Sequence, residues 1–380
     1  MAHTLLQVIK NYKGSIPLLE AMVPSNREKF RTIVCYLTGE PDGQNSMENR
    51  VDRTIYLQLD KKALSWSRPG TSRALAKIID EEGVDLLICQ LRRTIPIGVW
   101  AGILARRKPQ VIGVLHGIVN GKVSHSRRLL NWFVFQRLAR LVCVSKTCAD
   151  DLVTMNWQLA PKKVIAIQNG INLAPYLINQ QRPSTEKSRR LLFGEQLADK
   201  RLFGTIGRLA EVKNYRRFIE AFALACQNNT NIGLVLIGTG PLEQELKNLV
   251  ASLELDQHVL FLGYRKDIPN LLQNLDVFAL PSLREGISLA LLEAMASGLP
   301  PLTSNSSGMK EVVNDSSCGW LIEPEDHQSM AEVITLIARE TAEQLAAIGR
   351  NSHQRVLTKF NVERMASDYE KLYGEILDKR

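Results

Sequence analysis

The sequence predicts an α/β protein built from two doubly wound, Rossmann-like domains, and three observations support this fold class. Short, continuously apolar runs alternate with amphipathic helical patterns, which is typical of parallel sheets covered by helices on both faces. The alternation stops at a polar stretch near residue 180 and then begins again. A chain of 380 residues is also long enough for two domains, each with its own core.

The first half of the chain supplies the strands of one domain. Amphipathic stretches such as SRALAKIIDEEG separate several of its apolar runs. We therefore predict a first domain over residues 1–175, followed by an exposed linker over residues 176–188, where Pro183, Ser184 and Thr185 occur together. The predicted strands lie in LLQVI, RTIVCYL, RTIYLQL, DLLICQ, VIGVLHG, RLVCVS and KVIAIQNG.

The second half repeats this architecture without an obvious repeated sequence. We predict a second domain over residues 189–358 and a last helix over residues 359–380 that packs back on the first domain. The predicted strands lie in RLFGTIGRL, IGLVLIG, HVLFLG, LDVFALPS, LPPLTS and GWLIEP. The predicted helices lie in YRRFIEAFALACQ, PLEQELKNLVASL, ISLALLEAMASG, SMAEVITLIARETAEQLAAIGR and NVERMASDYEKLYGEIL.

Composition favours a cytoplasmic protein. No apolar run approaches the roughly 18 residues that a membrane-spanning helix needs. The N-terminal segment is more typical of a first strand than of a secretory signal. The six cysteines show no metal-ligand spacing and predict buried free thiols in a reducing compartment, with a disulfide framework as the minor alternative.

The net charge of +9 is concentrated in the first domain. Residues 1–172 carry 25 Lys and Arg against 13 Asp and Glu, whereas the remainder carries 23 against 26. No acidic residue occurs between Asp85 and Asp150, although eleven basic residues do. A field of one sign predicts an anionic partner, which is a phosphorylated substrate, a nucleic acid or an acidic lipid surface.

Two strand-to-helix loops of the second half are candidate sites. In TIGRLAEVKN, Arg208 and Lys213 follow a strand end, where two cations and free helix-start amides can bind a phosphate or diphosphate; two solvated surface bases are the alternative. In LVLIGTGPLEQEL, Gly238 and Gly240 precede Pro241 at the predicted first helical position. The third glycine of a dinucleotide fingerprint is missing, so a tight structural turn is favoured over a nicotinamide or flavin dinucleotide site.

The stretch PSLREGISLALLEAMASGLP carries two glutamates eight positions apart. We expect Gly286 to let a ligand approach the backbone, and the amides of Ile287, Ser288 and Leu289 to be helix-start donors for a phosphate. Glu285 precedes the helix, and Glu293 lies about 12 Å further along its axis. An elongated ligand with hydroxyls at both ends and an anionic middle, a nucleotide-sugar, would satisfy both glutamates. A capping Glu285 and a surface Glu293 are the alternative.

These motifs together resemble a known family. REGISLALLEAMASG resembles the E-x7-E segment of retaining family 4 glycosyltransferases, and TIGRLAEVKN, LVLIGTGPLEQEL and GLPPLTSNSSGMKEVV are similar to the family's neighbouring segments. In the first half, VLHG, VCVSK and NGIN resemble its acceptor-domain landmarks. The resemblance runs from about Ile112 to the C-terminus, and it is specific in the second half and weak before residue 110.

The resemblance implies a glycosyltransferase B fold, with the active site in a cleft between an acceptor-binding first domain and a donor-binding second domain. It implies that Arg208 and Lys213 bind the donor diphosphate and that Glu293 binds the ribose. Glu285, with the amides after Gly286, would hold the sugar and the β-phosphate, and His116 would reach the sugar from the first domain. No cofactor is implied, because the nucleotide-diphosphate-sugar is a substrate. No metal is expected either, since fixed cations take the leaving-group charge and no Asp-x-Asp occurs.

The chain departs from the family pattern at four positions. Only Gly14 stands where the family often has two glycines after the first strand, and Asn172 replaces a usual aspartate. Gly308 is the one member present of a usual glycine pair, and Pro301 lies in a predicted strand, which is tolerated mainly at an edge or a strand start. None of these positions belongs to the predicted diphosphate site.

The sequence does not identify the acceptor, and it leaves two rival functions. We predict transfer to a glycan or glycolipid, such as a lipopolysaccharide core or a lipid-linked glycan, with the donor base near GYRKDIPNLL. The basic helix RRLLNWFVFQRLARLV suggests peripheral contact with the inner face of an acidic cytoplasmic membrane, although a core helix with a basic outer face is favoured. A sugar-nucleotide epimerase of the same fold is one rival. A basic nucleic-acid-binding protein is the other, and it ranks lower because no stacking motif occurs and the second half stays unexplained.

Overall fold

The chain forms two compact units in a computed structural model. The first unit comprises Met1–Gly170 and Val362–Arg380, and the second comprises Ile171–Asn361. The predicted linker 176–188 falls partly outside the residues that the structure describes, and Thr185 there already caps a helix. The structure describes residues 2–12, 17–64, 69–116, 125–155, 160–177, 185–228, 231–306 and 308–379.

A parallel seven-stranded sheet forms the centre of the first unit. Its order is β3-β2-β1-β4-β5-β6-β7, so the chain starts in the middle and winds first to one side and then to the other. The inner strands are buried on both faces, which is why their sequences are continuously apolar. The strands are β1 (His3–Asn11), β2 (Phe30–Thr38), β3 (Arg53–Tyr56), β4 (Leu86–Gln90), β5 (Gln110–Leu115), β6 (Arg140–Cys143) and β7 (Val164–Ala166).

Helices cover this sheet, and the last helix of the chain is one of them. Tyr369 and Tyr373 of that helix are fully buried, and the Tyr373 hydroxyl donates to the Met22 carbonyl at 3.1 Å. Ser145 caps the helix that begins at Lys146, because its hydroxyl accepts a hydrogen bond from the Cys148 amide at 3.0 Å. The helices are α1 (Pro17–Glu20), α2 (Pro69–Glu82), α3 (Thr94–Leu104), α4 (His125–Gln136), α5 (Lys146–Met155) and α14 (Val362–Leu377).

The second unit contains a parallel six-stranded sheet with the same winding. Its order is β10-β9-β8-β11-β12-β13. Pro301 is the first residue of its strand, a place where a missing amide donor is tolerated. The strands are β8 (Arg201–Ile206), β9 (Ile232–Ile237), β10 (Val259–Gly263), β11 (Val277–Leu280), β12 (Pro301–Ser304) and β13 (Trp320–Ile322).

Amphipathic helices cover the second sheet. Thr341 and Gln344 form a reciprocal capping box at the start of the longest one, which fixes where it begins. The helices are α6 (Glu186–Phe193), α7 (Tyr215–Asn228), α8 (Glu243–Ser252), α9 (Ile268–Gln273), α10 (Leu289–Ala296), α11 (Met309–Val312), α12 (His327–Arg339) and α13 (Ala342–Lys359).

The prediction of two doubly wound α/β domains is confirmed, and two helix starts need correction. Helix α8 begins at Glu243, so Pro241 lies in the preceding turn and not at the first helical position. Helix α10 begins at Leu289 with Ser288 as its N-cap, so Ile287 lies in the loop before it. All six cysteines are free and buried, as predicted.

Among the residues that the structure describes, no helix combines the length and the apolar character needed to cross a bilayer.

Candidate functional site

The strand order of the second sheet reverses between β8 and β11, and the candidate site lies at the carboxyl ends of these two strands. The strands are neighbours, with Phe203 paired to Val277 and Gly204 to Phe278. Strand β8 leads into the 207–214 loop and β11 into the 281–288 loop. Open α/β sheets bind ligands beyond the carboxyl strand ends at this kind of switch point.

Hydrogen bonds fix the two loops to each other. The Leu283 amide donates to the Val212 carbonyl at 2.9 Å. Asn214, which adopts a left-handed conformation with φ of 59°, donates through its side-chain amide to the Pro281 carbonyl at 3.2 Å. Because the side chain of Asn214 is buried, this contact is shielded from water. The loops therefore form one preorganised surface.

A glycine turn after β9 supports the 207–214 loop from the other side. A methyl group added to Gly238 would lie 2.0 Å from the Gly207 oxygen, and one added to Gly240 would lie 2.2 Å from the Leu209 oxygen. The Leu209 amide donates to the Thr239 carbonyl at 3.0 Å. The structural interpretation of both glycines is therefore correct, and the turn also positions the backbone of the candidate site.

Lys213 and Glu285 form an ion pair at the centre of this surface. Their side chains are 15% and 21% exposed, so the pair is largely shielded from solvent. The Ser282 hydroxyl lies 3.4 Å from the same Glu285 oxygen. Two residues that are 72 positions apart in sequence are thus brought together, as the sequence interpretation required, although a direct contact between them was not anticipated.

Arg208 is the second cation of the 207–214 loop, and its side chain is exposed. Within the described ranges of the chain, no carboxylate pairs with it. Its exposed guanidinium can offer a fork of N–H donors to an incoming anion. The two cations of the predicted diphosphate site therefore differ in their surroundings, since Lys213 is in an ion pair and the Arg208 side chain is exposed.

The backbone at residues 286–289 is closely packed from behind. Gly286, Ile287 and Ser288 are buried. A methyl group on Gly308 would lie 2.5 Å from the Gly286 carbonyl carbon, and the Gly308 amide donates to the Glu285 carbonyl at 3.3 Å. Ser288 and Leu289 stand at the start of α10, where helix amides lack partners from within the helix.

Glu293 lies on α10, where it meets a residue that the sequence analysis missed. The Tyr176 side chain forms a hydrogen bond with the Glu293 carboxylate. Burial raises the pKa of Glu293 above its ordinary value, and the hydrogen bond from Tyr176 lowers that pKa in part. Burial, followed by the nearby Glu293 charge, raises the pKa of Tyr176 well above its usual range. The Glu293 carboxylate is therefore half-buried and hydrogen-bonded to Tyr176, and Glu293 is not a surface residue.

The turn that presents Tyr176 is itself anchored in the second unit. The Tyr176 amide donates to the Leu173 carbonyl at 2.9 Å, and the Ala174 amide donates to the Asn172 side chain at 3.0 Å. The Ile171 amide donates to the Phe360 carbonyl at 2.9 Å. Asn172, the residue that departs from the family pattern, thus stabilises the turn that brings Tyr176 to Glu293.

His116 belongs to the first unit, where it follows the end of β5. Its Nε2 atom lies 2.7 Å from Oε1 of Gln90, the last residue of β4. Burial lowers the pKa of His116 to about 4, so the ring is neutral at physiological pH. Gln90 was not singled out from sequence, although a polar residue that ends an apolar strand run marks a strand-end site. Residues 117–124, including the glycine after His116, lie outside the described residues, as does Gly14.

Over the parts of the chain described above, no group of three or more His, Cys, Asp or Glu side chains is arranged to hold a metal ion. The charged side chains that the two loops carry are those of Arg208, Glu211, Lys213, Arg284 and Glu285.

Two family models match the chain, one for each unit. Residues 27–175 match the model described as Glycosyltransferase Family 4. Residues 189–355 match the model described as Glycosyl transferases group 1. The boundary between the two matches falls at the polar stretch where the predicted strand pattern restarts.

Relatives and solved structures agree with these matches. The chain is 31% identical over 342 residues to the UDP-Gal:alpha-D-GlcNAc-diphosphoundecaprenol alpha-1,3-galactosyltransferase of Escherichia coli, covering 86% of this chain and 82% of that protein. It is 33% identical over 165 residues to the amylovoran biosynthesis glycosyltransferase AmsK of Erwinia amylovora, covering 41% and 40%. The fold matches the Anabaena Alr3699/HepE structure in complex with UDP-glucose with a TM-score of 0.81 at 18% identity, covering 98% and 99%.

Proposed function

The chain belongs to the family 4 glycosyltransferases, and we propose that it transfers a sugar from a UDP-sugar to a hydroxyl of a lipid-diphosphate-linked glycan with retention of anomeric configuration. The observation that carries this proposal is the Lys213–Glu285 pair at the switch point of the second unit, with Glu293 on the helix that follows. UDP is the proposed nucleotide because the Escherichia coli relative uses UDP-Gal and the Anabaena structure holds UDP-glucose.

Each side chain has a proposed task. Arg208 and Lys213 bind the donor diphosphate, and the amides that follow Gly286 bind the β-phosphate. Glu285, released from Lys213 when the diphosphate arrives, accepts hydrogen bonds from sugar hydroxyls. Glu293 accepts hydrogen bonds from the ribose, and His116 of the first unit contributes to recognition of the transferred sugar. The cations are supported by their position at the carboxyl ends of β8 and β11.

The proposed reaction needs no metal. The bond between the anomeric carbon and the β-phosphate oxygen breaks, and the electron pair leaves with the UDP. The acceptor oxygen bonds to the anomeric carbon on the face that UDP leaves, and its proton passes to a phosphate oxygen. The charge on the departing diphosphate grows as this happens, and Arg208 and Lys213 stabilise it, which is the task a metal ion performs in other transferases.

The acceptor is proposed to be anionic and anchored in a membrane. The first unit is strongly basic, although part of this charge is already neutralised. Arg107 pairs with Asp85 at 2.8 Å. The Escherichia coli relative acts on a diphosphoundecaprenol-linked sugar, and AmsK takes part in amylovoran biosynthesis, so we propose a role in cell-envelope polysaccharide synthesis.

An aromatic surface on α3 and α4 supports a peripheral location on the cytoplasmic face of the membrane. Trp100 of α3 stacks on Phe133 of α4 at 5.3 Å between ring centroids, and the Arg137 guanidinium lies 4.9 Å from the same ring centroid. Trp132 and Leu104 expose 46% and 49% of their surfaces. Exposed aromatic residues beside basic ones are typical of proteins that bind an acidic bilayer.

Replacing Trp132 with alanine is expected to weaken binding to phosphatidylglycerol-containing vesicles by about tenfold, because one large interfacial side chain is lost. Vesicle sedimentation measures the effect. Leu336→Ser, at a leucine of α12 that is 52% exposed, is the matched control and should bind like the unaltered protein. Binding to pure phosphatidylcholine vesicles at the same strength, or an unchanged Trp132→Ala variant, would contradict the proposed membrane contact.

The transfer reaction is tested with purified protein. A UDP-sugar is expected to raise the melting temperature more than GDP- or ADP-sugars do, because ligand that binds the folded state stabilises it. With that donor and a polyprenyl-diphosphate N-acetylglucosamine acceptor, the product should keep the donor's anomeric configuration by NMR, also in EDTA. The relatives named above are transferases, so the epimerase alternative has no support. An epimerised donor without glycoside product would nevertheless reject the proposal, as would inverted configuration.

A further inference from the structure

The end of β4 contains an ordered amide that contacts His116. Strands β4 and β5 are parallel neighbours, with Gln90 paired to Val114. Their carboxyl ends therefore reach the same edge of the first sheet, and Gln90 Oε1 lies 2.7 Å from His116 Nε2. Gln90 is only 1% exposed, so water does not compete for this hydrogen bond.

The orientation of the Gln90 amide follows from its other neighbours. Its Nε2 group donates to the Met22 sulfur at 3.2 Å. Sulfur is a weak acceptor, so it suits an N–H group and not a carbonyl oxygen, and the oxygen must face His116. The backbone carbonyl of Gln90 accepts a hydrogen bond from the Thr94 hydroxyl. The next residue, Leu91, has a φ of 74°. A leucine in the left-handed region is strained, which is common next to functional side chains.

An amide oxygen can only accept a hydrogen bond, so the proton of the neutral His116 ring is on Nε2. Burial is the cause of the lowered pKa of His116, with no charged side chain of the described chain contributing to it. The ring is therefore neutral at physiological pH, and Nδ1 is the ring nitrogen that carries an acceptor lone pair. The chemical character of His116 is thus set by a residue on a different strand.

We propose that Gln90 is a positioning residue for the transfer reaction, which holds His116 in the Nε2-protonated neutral form so that Nδ1 accepts a hydrogen bond from a hydroxyl of the transferred sugar. This inference rests on the proposed function, which assigns His116 to sugar recognition. Gln90 touches no substrate in this account. It acts through the imidazole.

The Nδ1 lone pair selects the group of the sugar that faces it. A hydroxyl can donate to Nδ1, whereas a carboxylate has no proton to donate and would place its charge against the Nδ1 lone pair. The group of the sugar that faces His116 is therefore a hydroxyl and not a carboxylate. A protonated, cationic His116 would reverse this preference.

The tautomer is measured directly by NMR of protein labelled with ¹⁵N-histidine. The ligand-free protein is expected to show His116 with a protonated Nε2 and an unprotonated Nδ1 across the neutral range. Gln90→Leu keeps the volume but removes the acceptor, so the His116 signals should move toward a mixture of tautomers. Gln7→Leu is the matched control, because Gln7 is equally buried in the adjacent strand β1, where it pairs with Ile88 and not with His116.

Kinetics then connect the tautomer with transfer. Gln90→Leu should lower kcat about tenfold, the effect of one lost hydrogen bond, while the affinity for UDP is unchanged. Gln90→Glu keeps an acceptor but adds a charge that favours imidazolium. That variant should therefore regain activity at high pH and lose it as the pH falls through a raised His116 pKa. A purely structural glutamine would not produce this profile.

The outcomes separate the inference from the proposed function. If Nδ1 carries the proton in the unaltered protein, or if Gln90→Leu leaves the His116 signals and kcat unchanged, the inference is overturned. If the tautomer is as expected but no UDP-sugar binds, the proposed function fails while the His116 geometry remains.

Discussion

Replacing Lys213 with alanine is expected to lower kcat about 10²- to 10³-fold and to weaken donor binding as well. Lys213 is proposed to meet the diphosphate both in the bound donor and as it leaves, when its charge is greatest. Removing one fixed charge-stabilising group from an active site typically has an effect of this size. Transfer rates and UDP affinity by calorimetry measure the two effects separately. Lys213→Arg keeps the charge and should retain part of both.

The ion pair complicates this variant, and a double variant resolves it. Lys213→Ala leaves the Glu285 carboxylate, which is 21% exposed, without its cation, so the protein should also lose stability, by less than about 3 kcal/mol. Lys213→Ala/Glu285→Ala should recover stability without recovering transfer. Lys247→Ala, at a surface pair on α8 with Glu243, is the control for a lost lysine. Normal kinetics for Lys213→Ala would contradict the proposal that Lys213 binds the donor diphosphate.

The sequence was sufficient to predict that Lys213 and Glu285 belong to one site, since both follow strands of a parallel sheet. It did not predict that they form an ion pair. Without ligand, a half-buried ammonium and a half-buried carboxylate at the same strand ends lower each other's desolvation cost by pairing. We therefore propose that the donor diphosphate displaces Glu285 from Lys213, so that the Glu285 carboxylate can bind the sugar once the diphosphate is bound.

Tyr176 and Gln90 could not be found in the same way. Gln90 contacts His116 because β4 pairs with β5. A helix separates these two strands in the chain, so their pairing register cannot be predicted from the sequence of either strand. Tyr176 reaches Glu293 from a turn 117 positions earlier, and that turn is fixed by side-chain and backbone contacts such as Asn172 with Ala174. The local sequence pattern was enough to identify the strand ends. The side chains that contact each other there depend on tertiary packing, which the local pattern does not show.

The helix starts at Glu243 and Leu289 were misplaced for a related reason. Pro241 is typical of a first helical position, yet the Leu242 amide donates to the Leu209 carbonyl at 3.1 Å and so keeps this turn on the neighbouring loop. At α10, Gly308 packs against Gly286 and Ile287, which lie in a bend of the loop before the helix begins. In both cases a contact with another loop of the site overrides the local helix signal.

Replacing Glu293 with glutamine is expected to weaken UDP binding by about 100-fold. A carboxylate that accepts both ribose hydroxyls makes two charge-assisted hydrogen bonds, each stronger than the neutral bonds that an amide oxygen makes. The discrimination between UDP and 2′-deoxy-UDP should fall at the same time, because the missing 2′-hydroxyl is one of the two groups that Glu293 is proposed to bind. Calorimetry with the two nucleotides measures both effects. Equal loss for the two nucleotides would show that Glu293 acts on the fold and not on the ribose.

Tyr176→Phe tests whether the carboxylate must be ionised. The ionised form accepts the ribose hydroxyls, so UDP affinity should decline as the pH falls through the Glu293 pKa. Burial already raises that pKa, and loss of the Tyr176 hydrogen bond should raise it further, which moves the decline to higher pH. In a Glu293→Gln background, Tyr176→Phe should have no effect on the pH profile, since no group remains to titrate. Tyr373→Phe, at a buried tyrosine of the first unit, is the control for a lost hydroxyl. An unshifted profile for Tyr176→Phe would mean that the tyrosine does not set the ionisation of Glu293.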